Sequence, residues 1–194
     1  MSTRPTIGRG PKVQAAVHAA TVAELAATGY AALTVEAVAT RAGVHKTTVY
    51  RRWADRDSLV ADALAAHVAA DVPIPDTGTA EGDLRALARA LAAWLSGPTG
   101  TAVVTTMVAE GVRVPAIAEL KRDFFAGRLE RAAVVVTRAV ERGELPAGTR
   151  PDAVVKAMMA PLYLRALITA EPVGDEAADQ AARTALGAAR AGVL

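Results

Sequence analysis

Residues 33–59, LTVEAVATRAGVHKTTVYRRWADRDSL, leave few folds open, because they read as two short helices joined by a tight turn. Thr34 is a suitable cap, since its hydroxyl can accept one of the backbone N–H groups that a first helical turn leaves unpaired. Val35, Val38, Ala39 and Ala42 then fall at i, i+3, i+4 and i+7, which makes one apolar helical face. Gly43 ends that helix, because glycine takes positive φ at almost no steric cost and lets the chain turn at once. A second helix is predicted from about His45, with Val49 and Trp53 directed inward and Lys46, Thr47, Thr48, Tyr50, Arg51 and Arg52 on the outer face. Thr47, Thr48, Val49 and Tyr50 are β-branched or aromatic, so intrinsic preference opposes this helix and packing must hold it.

The charges in this stretch point to a polyanion. Lys46 lies in the first turn of the second helix, and Arg56 opens the next, which is predicted to begin near Asp55. A helix N-terminus carries a partial positive charge, so cations there are unfavourable unless an anion lies beside them, and phosphate is such an anion. The net charge is only +2, yet residues 1–70 carry eight Lys+Arg against five Asp+Glu, and residues 71–194 carry fourteen against fifteen. Placement matters more than the excess: Arg41, Lys46, Arg51, Arg52 and Arg56 lie in one short stretch whose single acid is Asp55.

Ala42-Gly43-Val44, Lys46, Thr48, Val49-Tyr50-Arg51-Arg52-Trp53 and Asp55-Arg56-Asp57-Ser58-Leu59, with Gly29-Tyr30-Ala31-Ala32-Leu33-Thr34 upstream, resemble the DNA-binding domain of TetR-type transcriptional regulators. Pro161-Leu162-Tyr163-Leu164-Arg165 and Thr169-Ala170-Glu171-Pro172 resemble a C-terminal sensor domain of one branch of that family. The resemblance implies that Thr34, Arg41, Tyr50, Arg52 and Arg56 touch backbone phosphates. Lys46, Thr47, Thr48 and Arg51 would face base edges or adjoining phosphates. It also implies a homodimer on a palindromic operator of double-stranded DNA, released by a small-molecule ligand. Two positions depart from the family pattern. His45 stands where a small hydroxyl residue usually caps the recognition helix, and Ser58 stands where a Glu usually completes the box around Asp55, which should cost a little stability.

The remaining chain reads as helix, so the expected fold is all-α: a three-helix helix-turn-helix domain followed by a helical ligand-binding and dimerisation domain. The expected divisions are a flexible basic arm at 1–10, the DNA-binding domain at 11–54 and the sensing domain at 55–194. The arm could follow the phosphate backbone or enter a minor groove, or it could be a tail without function. Helix 1 is expected from Pro11 to Thr28, with His18, Val22, Leu25 and Ala26 inward and His18 a packed residue rather than a ligand. A helix from Asp55 towards Ala70 should end at Val72-Pro73-Ile74-Pro75-Asp76-Thr77-Gly78, where two prolines forbid helix. Later helices are expected over Glu81–Leu95, Thr101–Val112, Pro115–Arg142, Asp152–Thr169 and Asp175–Gly192.

The last two helices are crowded with alanine, at Ala153, Ala157 and Ala160, then Ala178, Ala181, Ala182, Ala185 and Ala188. Small side chains permit close approach of another helix, and the family resemblance implies that these two helices pair with their copies in a twofold four-helix interface of a homodimer, the alternative being that they close the protomer's own core. Met107, Glu110, Phe124, Phe125, Met158, Met159, Tyr163 and Arg165 combine adaptable apolar groups with polar handles, the makeup of a small-molecule pocket. Glu110 and Arg165 lie in apolar helices and need solvent, each other or a charged ligand. The chain has no cysteine, so thiolate metal sites and disulfides are excluded and a reducing, cytoplasmic setting is expected. No apolar run approaches the ~18 residues of a membrane span, and MSTRPTIGRGPK lacks the apolar core of a secretory signal. His18, His45 and His67 are scattered and no nucleophile–base pair stands at a motif spacing, so no catalytic residue, metal or cofactor is expected. A ligand-independent architectural DNA-binding protein and a ligand-responsive activator are the alternatives.

Overall fold

A computed structural model describes residues 9–68 and 74–194. All of their regular structure is helical, as expected: α1 (Arg9–Thr28), α2 (Val35–Ala42), α3 (Lys46–Tyr50), α4 (Arg56–Val68), α5 (Ala80–Ser96), α6 (Pro98–Glu110), α7 (Pro115–Glu141), α8 (Pro151–Leu164) with a π turn at Arg165–Thr169, and α9 (Asp175–Arg190). The expected arm at 1–10 lies outside the described residues apart from Arg9 and Gly10, as do Val72 and Pro73 of the proline segment.

The chain forms two compact units, residues 1–71 with 102–121 and residues 72–101 with 122–194. In the first, α1 packs on α2 and α4, and α2 on α3. Val17, Ala20, Val22, Leu25, Leu33, Val38, Val49, Leu59, Val60 and Leu64 fill its core. The stripe of α1 differs from expectation: Val17, Thr21 and Glu24 are buried and Ala26 is exposed. α4, expected in the sensing domain, belongs to this first unit through its contact with α1. In the second unit α5, α8 and α9 pack on one another.

Local chemistry sets the ends of these helices. Thr34 Oγ1 accepts from the Ala37 N–H at 3.1 Å, and Gly43 takes φ 66°. Asp55 caps α4 by accepting from the Ser58 N–H at 2.7 Å. Ser58 Oγ in turn accepts from the Asp55 N–H at 3.3 Å, so serine supplies the reciprocal half of the box that was expected to be missing. α6 starts at Pro98, not Thr101, because a proline at the first helical position gives up an N–H that has no partner anyway. The helix expected to run on to Thr169 changes to a π turn at Arg165 and stops at Ala170, whose φ is 52°. Arg165 secures this stop by pairing with Glu171 at 2.8 Å and donating to the Pro172 carbonyl at 3.0 Å.

Candidate functional site

The recognition segment is held from beneath. α3 has five residues, too few to be stable alone, and its one buried side chain is Val49. Trp53, just beyond it, is also buried. Its indole N–H donates to Asp62 Oδ2 at 2.8 Å, and the same oxygen meets His18 Nε2 at 2.9 Å. The His18 and Trp53 rings stand 5.7 Å apart. Burial works against the Asp62 charge, but hydrogen bonds from Trp53 and His18 outweigh it and hold its carboxyl below the usual range. α1 and α4 thus clamp the end of the recognition segment. His45 caps α3 through Nδ1, which accepts from the Thr47 N–H at a long 3.4 Å.

With Val49 and Trp53 fixed inward, Lys46, Thr47, Tyr50, Arg51 and Arg52 are exposed and Thr48 is half-buried. The cations differ in their attachments. Arg41 Nε pairs with the buried Glu24 at 2.7 Å, and Lys46 lies 3.8 Å from Glu36. Arg52 donates to Gln14 Oε1 at 2.5 Å and lies 5.7 Å from the Trp53 ring centre. Arg56 stacks 4.3 Å from the Tyr30 ring centre and donates to the Tyr30 carbonyl at 3.4 Å and to Asp57 at 3.3 Å. The protein therefore compensates both Lys46 and Arg56 itself, whereas the sequence left them in need of an external anion. The side chains of Arg51 and Tyr50 carry no hydrogen-bond or ion-pair partner among the described residues. Tyr50 is 46% exposed, high for a large ring with nothing to cover it.

The residues expected to line a ligand pocket divide between the two units. Met107, fully buried, and the half-buried Glu110 belong to the first, and Phe124, Phe125, Met158, Met159, Tyr163 and Arg165 to the second. In the second unit Phe125 stands edge-on to Phe124 at 5.2 Å and to Tyr163 at 5.5 Å, and Trp94 joins Phe124 at 6.0 Å. Arg165 already has Glu171, so it does not need Glu110 or a ligand to balance its charge.

Residues 17–63 match the family model for bacterial regulatory proteins of the tetR family. Residues 74–185 match the model for the tetracyclin repressor-like C-terminal domain, which covers more than half of the chain. The chain belongs to the TetR family. It is a DNA-binding transcriptional regulator with a helix-turn-helix. The HTH-type transcriptional regulator AqdR of Rhodococcus erythropolis is 34% identical over 147 residues, 76% of this chain and 70% of AqdR. The DNA-binding transcriptional repressor TetR of Mycobacteroides abscessus is 37% identical over 79 residues, 40% of this chain and 42% of that protein. Among solved structures, a TetR-family regulator from Mesorhizobium loti MAFF303099 superimposes with a TM-score of 0.76 at 20% identity, covering 93% of this chain and 98% of that one. At that identity the likeness speaks for the fold.

Three residues that touch the candidate site residues or their aromatic neighbours escaped sequence reasoning: Asp62, Gln14 and Arg128, whose guanidinium lies over the Phe124 ring. Asp62 sits mid-helix in α4 and reads as a surface acid until Trp53 and His18 are seen on it. Gln14 reads as a solvated polar residue until it meets Arg52, thirty-eight positions away. Arg128 has the one signal that was available: it follows Phe124 by four positions and Phe125 by three, so all three share a face of α7.

Proposed function

We propose that this TetR-family protein is a dimeric repressor that occupies a palindromic operator and leaves it when a small molecule binds the C-terminal region. The observation that carries the reading is the recognition segment: Val49 and Trp53 are locked into a core while hydroxyl, phenol and guanidinium groups face outward. Thr47, Thr48, Arg51 and Lys46 read base edges. Thr34, Arg41, Tyr50, Arg52 and Arg56 hold phosphates, and Arg41 and Lys46 exchange their carboxylate partners for phosphate on binding.

Two such segments are needed, because a five-residue helix spans too few base pairs for useful specificity. A twofold dimer sets two of them in successive major grooves, about 34 Å apart. The last two helices supply the contact. In α9, Ala178, Ala181, Ala182, Ala185 and Ala189 are already covered within the protomer, so these alanines serve its own core. Exposed on these two helices remain Arg183, Thr184 and Gly187 of α9 and the outer face of α8 with its π turn. Ala160, Pro161, Leu164 and Ile168 are exposed there, Leu164 at 51% and Ile168 at 74%.

Release is a population shift: the ligand favours a conformer whose reading heads no longer match the operator spacing. It must prefer that conformer by roughly 3–5 kcal/mol to empty a well-occupied site. No helix of the described residues is long and apolar enough to cross a membrane, which suits a cytoplasmic protein. The test is binding of the purified protein to the DNA flanking its own gene against random DNA of equal length, with salt varied. The expected outcome is a preference of about a hundredfold or more with two protomers per site; equal and steeply salt-dependent binding overturns it.

A further inference from the structure

Arg128 is the cation of the second unit whose surroundings are hardest to account for. Its guanidinium lies 4.7 Å from the Trp94 ring centre and 5.2 Å from that of Phe124. Among the described residues no carboxylate lies within ion-pair distance of it. The phenol of Tyr163 lies at the other end of the aromatic row that runs through Phe125 and Phe124, and its oxygen is buried with no hydrogen-bond partner. Burial pushes the Arg128 guanidinium below its usual value; Tyr163 opposes that, and the neighbouring Arg131 adds to it. Burial also pushes the Tyr163 phenol up to about 12, with Arg128 acting in the opposite sense, so the phenol stays protonated at neutral pH and the two groups feel each other.

A buried hydroxyl without an acceptor is costly to keep unless something pairs with it, and the half-buried guanidinium of Arg128, which has no carboxylate partner among the described residues, stands ready for an anion beside it. Cation–π stacking on two rings fills none of the N–H donors of the guanidinium. Both groups present hydrogens. The partner that satisfies them must therefore offer acceptor oxygens and negative charge, and the rings around them suit an apolar or aromatic body. A cationic ligand meets repulsion from Arg128 and finds no acid among Arg128, Tyr163 and the three rings to bind.

We propose that Arg128 and Tyr163, with Trp94, Phe124 and Phe125, form a binding site for an organic anion with an apolar body, such as an aromatic or fatty carboxylate. This site names the chemical class of the ligand and rests on the reading that the C-terminal region senses a small molecule. Arg128 holds the anionic group in a charge-assisted contact, Tyr163 donates a second hydrogen bond, and the rings cover the apolar part.

The experiment titrates the full-length protein with two fluorescent probes of nearly the same shape, the anion 8-anilinonaphthalene-1-sulfonate and the uncharged N-phenyl-1-naphthylamine. Wild type is expected to bind the anion saturably, one per protomer, and at least about tenfold more tightly than the neutral probe. Arg128→Met should remove that advantage while leaving the neutral probe within about twofold. Tyr163→Phe, a milder change, should weaken the anion by about threefold to tenfold. Equal binding of both probes by wild type, or loss of both probes by the same factor in Arg128→Met and no loss in Tyr163→Phe, overturns the site. Operator binding measured in the same samples reads the regulatory mechanism separately: anion binding that depends on Arg128 without a change in operator affinity leaves the site in place and removes ligand-driven release.

Discussion

Thr48 and Tyr50 lie two residues apart on α3, and their substitution separates two kinds of DNA contact. Tyr50→Phe removes a phenolic hydroxyl proposed to hold phosphate, so affinity should fall alike on operator and random DNA. Thr48→Ala removes a hydroxyl proposed to read a base edge, so discrimination should fall by about tenfold while random-DNA binding holds. Competition binding on both DNAs checks this, and equal losses for Thr48→Ala would remove it from the base-reading set. Asp62 allows a pH test at the same scale. Its carboxyl is held below the ordinary range, so the stability it contributes is complete above about pH 4 and is lost as acid carries the pH through its lower folded value. Thermal melts between neutral pH and pH 3 should show an acid loss in wild type that Asp62→Asn blunts, from a lower neutral baseline.

Short helices depend on their ends and on what they rest against. Thr34→Ala deletes the cap of α2 and should cost about 1 kcal/mol, read by chemical denaturation. At the start of α5 the burden falls on a buried acid. Asp83 is fully buried and accepts from the Thr77 backbone N–H at 2.6 Å and its hydroxyl at 2.9 Å, with Arg142 at 3.6 Å and Arg138 at 3.9 Å. Arg138 also pairs with Asp76 at 2.9 Å, so this cluster ties the proline-rich segment to the end of α7. Asp83→Ala leaves the two Thr77 donors without their acceptor, while Arg138 keeps Asp76 and Arg142 keeps Glu144, and should cost about 2 kcal/mol. A denaturation midpoint within error of wild type would show that the cluster adds nothing.

At the scale of the molecule the question is assembly. Ala160 and Ile168 are exposed on the same stretch that leaves Leu164 uncovered, and a large charge there should oppose a twofold contact without disturbing the protomer core. Ala160→Arg is expected to yield a folded monomer by light scattering, with operator affinity reduced about a hundredfold and random-DNA binding reduced far less. A dimer unaffected by Ala160→Arg and by Ile168→Asp places the contact elsewhere.

The all-α architecture and the reading head were legible in the chain because their causes are local. Helix ends follow from Thr34, Gly43, Pro115 and Gly143 through backbone geometry that neighbours in sequence dictate. The inward residues of a short helix follow from its period, so Val49 and Trp53 could be placed without coordinates. What the folded structure added comes from groups far apart in the chain. Glu24 on Arg41, Gln14 on Arg52, Asp62 beneath Trp53 and Tyr30 under Arg56 have no periodic signature, and each changes the environment that a cation or ring experiences. The alanines of α9 make the same point: their spacing told of close packing, but only the fold of α5 and α8 around them revealed which partner they touch. Arg128 was passed over because charge and hydropathy describe a residue by itself, whereas its interest lies in the two rings beside it.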